Sequence, residues 1–244
     1  MSEDPKMLAP QYRDLYSGYY AGAPTAMQRK REISAALSAS CIARAIGDRK
    51  PLNLLDVGAG DGNVLAQLDA RRLVPELYAV EISASGIEAI RARGLHLLRE
   101  AQLFDGYKIP FPDKHFELAI AVHVLEHVEH ERLFLREIRR VSRFAYIEVP
   151  LEHVLRIQRS IDSGKKFGHI NFYTRETLNS LLDSSGFKVL GSEVVPSSLA
   201  YEQQLSGKVG GFLKNKVRTA ALAAAPTIAP RLFVYNAYAY CDCQ

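Results

Sequence analysis

Three cysteines in 244 residues are too few for a disulfide framework. Cys41, Cys241 and Cys243 also lack a second Cys pair to complete a zinc site, so they read as buried or surface thiols. No stretch approaches the roughly 18 apolar residues that a membrane span needs. The opening MSEDPK carries acids where a secretory leader carries bases followed by an apolar core, and the expected location is cytoplasmic. Charge of one sign is equally scarce. The net charge is +4, and Lys and Arg are dispersed except around residues 29–31 and 208–218, which makes nucleic acid an unlikely partner. No internal repeat is present, and no low-complexity tract beyond an Ala-rich piece at 220–225. What is abundant is core material: 48% of residues are hydrophobic, enough for one large domain.

Apolar spacing at Ile33, Leu37, Cys41 or Ile42, and Ala45 or Ile46 predicts a helix over 25–46, ended by Gly47. A short continuous apolar run at 52–57 predicts a buried strand. Helix and strand then alternate: helices at 62–72, 84–93 and 131–143, and strands at 77–82, 101–104, 116–124 and 144–150, the last stopped by Pro150. That alternation predicts an α/β protein with a parallel, doubly wound sheet. Thr174 is placed to cap a helix burying Leu178, Leu181 and Leu182, with Glu176 in its first turn and Gly186 past its end. Strands at 187–195 and 231–241 flank an insertion at 196–230, too long for a passive hairpin loop and so read as a helical cap. The organisation is a single domain: an N-terminal helical lid (1–50), a cofactor-binding core (51–195), the insertion or substrate cap (196–230) and a last strand (231–244).

The stretch LLDVGAGDGNVLAQL turns from strand to helix through Gly58-Ala59-Gly60-Asp61-Gly62. Glycines there let a ligand approach the backbone at the carboxyl edge of the sheet, where doubly wound folds bind ligands. A dinucleotide fingerprint wants a third glycine at position 63, and that residue is Asn63. Asp56 and Asp61 would also repel a pyrophosphate, whereas they complement the ammonium and sulfonium of S-adenosylmethionine. Glu81, at the end of the next strand, is placed to accept hydrogen bonds from ribose hydroxyls.

With these residues the sequence resembles class I S-adenosylmethionine-dependent methyltransferases, in the group acting on small metabolites. LLDVGAGDG matches that family's first motif and YAVEIS its acidic second strand, and the resemblance covers roughly residues 52–187. It implies a Rossmann-like, seven-stranded sheet, mostly parallel with an antiparallel last strand and helices on both faces. It implies S-adenosyl-L-methionine as cofactor, held by Asp56, Gly58, Ala59, Gly60, Glu81, Ile82, Asp105, Gly106, His123 and Val124. Tyr16, Tyr19 and Tyr20 are placed to stack as a lid, and His153 to meet substrate.

Methyl transfer from a sulfonium rests largely on positioning, and a hydroxyl acceptor adds the need for a base, which histidine suits. HVLEHVEH and FGHINFYT supply the candidates His127, His169 and Glu126, with His123 expected to share a helical face with Glu126 and His127. The expected site holds no metal. Some relatives bind a divalent ion on a Glu-x-x-Glu-His segment and a later histidine, and His123, Glu126, His127 and His169 resemble that set, with His in place of the first Glu. The expected function is transfer of a methyl group to a small-molecule acceptor, a hydroxyl of a sugar or secondary metabolite. The rivals are an RNA 2'-O-methyltransferase, a catalytically silent S-adenosylmethionine-binding partner protein and a nicotinamide-dependent dehydrogenase. Residues 207–225 mix lysines with apolar residues; they read as an ordinary amphipathic capping helix, with contact to a membrane surface or anionic substrate as the alternative.

Overall fold

The computed structural model describes Tyr20 and residues 24–244; Tyr16 and Tyr19 of the expected lid lie outside the described residues. Helix α1 (Thr25–Ile46) leads into strand β1 (Asn53–Val57), then α2 (Asn63–Arg71), β2 (Glu76–Glu81), α3 (Ala84–Ala92), β3 (Leu98–Leu103) and β4 (Phe116–Val122). After a 3-10 turn at Leu125–His127 come α4 (Glu131–Val141), β5 (Ser142–Leu151), α5 (Ile157–Gly164), α6 (Arg175–Ser184) and β6 (Lys188–Val195). Helices α7 (Leu199–Ala224) and α8 (Ala229–Leu232) fill the insertion before β7 (Tyr235–Asp242).

The seven strands form one sheet in the order β3-β2-β1-β4-β5-β7-β6. Neighbours from β3 to β5 pair in parallel, and β7 alone runs antiparallel, to both β5 and β6. This is the sheet that the sequence resemblance implies. Two apolar clusters cover its faces: Ile42, Leu65, Leu68 and Ile90 pack on one side, Phe134, Ile138, Leu178 and Leu182 on the other.

Four differences from the expected elements have local causes. β3 begins earlier than expected because it is an edge strand with only Ala101 buried, which leaves a faint apolar pattern. Pro150 does not stop β5; the β4 ladder ends at Glu148, so Pro150 is flanked by β7 alone, opposite Asn236. β4 ends at Val122 because His123 turns into the left-handed region, φ 55. β7 starts at Tyr235 because Arg231 and Leu232 close the short α8, which has Pro230 in its first turn.

The sequence placed α1 in a lid, yet its second half is a core element. Ala39, Cys41, Ile42 and Ile46 are buried against the sheet, while Arg31, Ser34, Ala35 and Ser38 face the cavity described below. All three cysteines are buried thiols, and burial pushes Cys41 up to about 11. Replacing Ile42, fully buried, with Ala leaves a void at the helix–sheet seam; Ile42→Ala is expected to cost about 2–5 kcal/mol in urea unfolding. A detachable lid predicts no measurable loss.

Candidate active site

The loops at the carboxyl ends of β1, β2, β3 and β4 enclose a cavity of about 300 Å³. Its floor is the glycine turn Gly58–Gly60 with Asp61, and its walls include Glu81, Ile82, Gly106, His123, Val124 and His127. Gly58, Gly60 and Gly62 all have positive φ, which only glycine adopts without strain. Space forbids a side chain as well. A Cβ on Gly58 would come within 2.7 Å of the Val124 Cγ2, and one on Gly60 within 2.8 Å of the Tyr20 hydroxyl. Tyr20 therefore covers the turn, with the Arg31 guanidinium 5.1 Å above its ring.

Glu81 holds this turn shut. One carboxylate oxygen accepts from Gly60 N at 2.8 Å and the other from Ser83 N at 3.0 Å. Burial raises its pKa against the lowering by those amides. Asp61 faces the cavity but pairs with Arg31 at 3.3 Å and Arg93 at 3.9 Å, so its charge is already answered. Asp56 stands behind the wall rather than in it: it is 2% exposed, and its Oδ2 has no partner among the described residues. Burial, then the Glu81 charge, push its carboxyl up to about 8, so it is neutral at neutral pH. The repulsion of a pyrophosphate that the sequence suggested for Asp56 and Asp61 is thus largely cancelled, and geometry rather than charge shapes this cradle. Asp105 is exposed and caps its own turn, accepting from Tyr107 N and Lys108 N, while Gly106 beside it lines the cavity.

His123 is placed differently from the shared helical face expected of it. It precedes the 3-10 turn, and its ring lies between two buried carboxylates, Nδ1 3.4 Å from Glu126 and Nε2 3.4 Å from Glu148. Burial alone would lower its pKa, but the two carboxylates carry it to about 10, so it is an imidazolium. Glu148 escaped the sequence reading because an acid inside an apolar strand leaves no spacing signal. It also accepts from the Ser38 hydroxyl at 2.9 Å and the Tyr146 hydroxyl at 2.6 Å, which ties α1 to β5 beneath the cavity.

His127 and His169 meet edge to face, ring centroids 4.8 Å apart. His127 Nδ1 lies 3.1 Å from the Gly168 carbonyl, and His169 Nδ1 2.6 Å from Glu152. Burial lowers the His127 pKa; burial opposes, but the Glu152 hydrogen bond raises, that of His169. Glu126 is buried; desolvation raises its pKa, but the His123 hydrogen bond together with the nearby histidines lowers it below the usual carboxylate value, and its Oε2 has no partner among the described residues. Ligand atoms of Glu126, His127 and His169 lie within 4.8 Å of one another, a set able to take a first-row divalent ion. Among the described residues His123 is not part of that set. His153 is exposed and does not line the cavity.

Residues 27–191 match a family described as Methyltransferase domain. The chain belongs to this family. The methyltransferase domain is 31% identical over 153 residues to ajmaline N-methyltransferase of Rauvolfia serpentina, covering 58% of this chain and 52% of that protein. It is 35% identical over 99 residues to a ubiquinone/menaquinone biosynthesis C-methyltransferase of Cupriavidus necator, covering 39% and 40% of the two chains. The chain thus spans about half the length, or less, of the curated relatives it matches. The geranyl diphosphate C-methyltransferase of Streptomyces coelicolor shares the fold, with TM-score 0.70 at 13% identity over 97% of this chain and 99% of that one.

The Asp56 carboxyl gives the methyltransferase domain a pH signature. A folded-state pKa near 8 against an ordinary 3.8 means the native state binds the extra proton, so this group makes stability fall as pH rises from about 4 to about 8. Asp56→Asn is expected to flatten that fall in urea midpoints measured across the range; an unchanged slope would show that Asp56 is ionised in the native protein.

Proposed function

We propose that the protein transfers a methyl group from S-adenosyl-L-methionine to a small-molecule acceptor, at a hydroxyl of a sugar or secondary metabolite. One observation carries this reading: a histidine held neutral, His127, opens onto the glycine-floored cavity with an ionised Glu126 beside it and the His169–Glu152 pair behind. The cradle fits the cofactor. Glycines 58 and 60 leave the backbone bare, Glu81 retains acceptor capacity beyond its two amides, and the cavity has the size of a nucleoside-class pocket. Bound there, S-adenosylmethionine supplies a methyl group already activated by its positive sulfur.

The chain's own residues supply position and a place for a proton. Gly58, Ala59, Gly60, Glu81, Ile82 and Gly106 seat the nucleoside, and His123 and Val124 close its far side. Tyr20 and α1 exclude water. With Nδ1 facing the Gly168 carbonyl as donor, His127 has its basic lone pair on Nε2, the atom that takes the acceptor proton. The resulting imidazolium is stabilised by Glu126, whose Oε2 has no other partner among the described residues. His169, fixed by Glu152, holds the His127 ring edge-on.

Two measurements test this. In calorimetric titration with S-adenosylhomocysteine, Glu81→Ala is expected to weaken affinity by about 1.5–3 kcal/mol, the scale for hydrogen bonds to a charged group. Tight uptake of a nicotinamide dinucleotide in place of that nucleoside would sink the reading. His127→Ala is expected to lower kcat by about 10²–10⁴-fold with S-adenosylhomocysteine affinity unchanged. Activity lost to a chelator and restored by a divalent ion would instead assign Glu126, His127 and His169 to a metal.

A further inference from the structure

We propose that the outward face of α7 docks the protein onto an anionic lipid surface. This inference stands apart from which acceptor is methylated. The helix is broken at Gly207, φ 74, and its two parts fold back on each other so closely that a Cβ on Gly211 would lie 2.4 Å from Gln203 Cα. The longer part turns two polar residues, Asn215 and Arg218, toward the domain. Gly211, Asn215, Arg218 and Leu222 recur at helical spacing on the domain side, where Asn215 donates to the Ser197 carbonyl at 2.8 Å and Arg218 pairs with buried Glu202.

The opposite stripe is apolar and faces water. Val209, Leu213 and Val217 follow one another at i, i+4 and are 84%, 63% and 48% exposed, with Phe212 alongside at 49% and Ala220 and Ala224 continuing the line. An ordinary capping helix, as the sequence suggested, has the reverse arrangement. Contiguous exposed apolar surface of this kind marks a contact site.

Charge selects the occupant. Between Glu202 and Asp242 the chain carries no Asp or Glu, while Lys208, Lys214 and Lys216 are exposed along the same helix segment. A two-fold contact with a second copy would set these lysines against their own counterparts with no acid to answer them. An anionic bilayer answers both features at once, because lysine stems extend beside an apolar stripe that enters the headgroup region. No helix among the described residues is long and apolar enough to cross a membrane, so the contact is one of surface docking.

The chain contains no tryptophan, so Phe212→Trp places a sole reporter on this face of the 244-residue chain. Its emission is expected to shift to the blue with phosphatidylcholine vesicles containing phosphatidylserine and not with phosphatidylcholine alone, and the shift should reverse in high salt. Lys208→Ser with Lys216→Ser should lower partition by about 25-fold, about fivefold for each lysine. Leu213→Gln should lower it by about tenfold or more, in flotation as in fluorescence, with the circular dichroism melt unchanged. Absence of flotation by the unsubstituted chain overturns the proposal, an arm that needs no variant. So does equal binding to neutral vesicles. A dimer in light scattering that Leu213→Gln dissolves, without vesicle binding, reassigns the face to self-association, and capture by soluble polyaspartate alone reassigns it to an acidic protein; either result overturns lipid docking.

Discussion

Two hydrogen bonds from one carboxylate hold the cavity open. Glu81 sits at the tip of β2 and reaches sideways to Gly60 N and forward to Ser83 N. The first bond fixes the turn after β1; the second fixes the start of α3, where Ser83 caps the helix through Gly86 N. Two adjacent strand–helix junctions are thereby referred to a single side chain. Gly86 is the counterpart of this clamp, since a Cβ there would meet the Gly60 carbonyl at 2.7 Å and the Glu81 Cγ at 2.8 Å. The glycines make the approach sterically open, and the carboxylate decides which of the open conformations is kept.

Beneath the cavity, charge is buried in an alternating row. Glu148, His123 and Glu126 are each held by the next, and the row is anchored to α1 through Ser38 and to β5 through Tyr146. Buried ions of this kind are costly unless each is paired and hydrogen-bonded, and they specify arrangement more than they stabilise it. In this arrangement the two carboxylates carry the His123 pKa to about 10, His123 helps to lower that of Glu126, and the Glu126 charge opposes the lowering of His127 by burial. The left-handed backbone at His123 belongs to the same arrangement, because it swings the ring off the end of β4 and between the two acids.

Most of the sheet was legible because its strands are short apolar runs separated by amphipathic helices, and glycines mark the turn that matters. Thr174 was legible as a cap, and it closes a capping box with Thr177. Less of the site could be read. The glycine turn, Glu81 and His127 announce themselves by position after a strand, but Asp56 looks like a surface acid of the turn and is a buried one. Whether an acid is charged depends on desolvation and neighbours from distant segments, and a linear string shows neither. Ser38 and Glu148, 110 positions apart, meet only once α1 crosses the sheet. The exposure of the apolar stripe of α7 was not legible for a related reason: amphipathicity gives the angle between two faces without saying which one meets the domain.

The burial of all three thiols has a practical side. Cys41, Cys241 and Cys243 lie within the helix–sheet interior, and desolvation holds each in its protonated, unreactive form. Alkylating and maleimide reagents therefore find no native target in the folded protein. A cysteine introduced anywhere on the surface becomes the unique attachment point for a spin label, a crosslinker or a fluorophore, with no native residue removed beforehand.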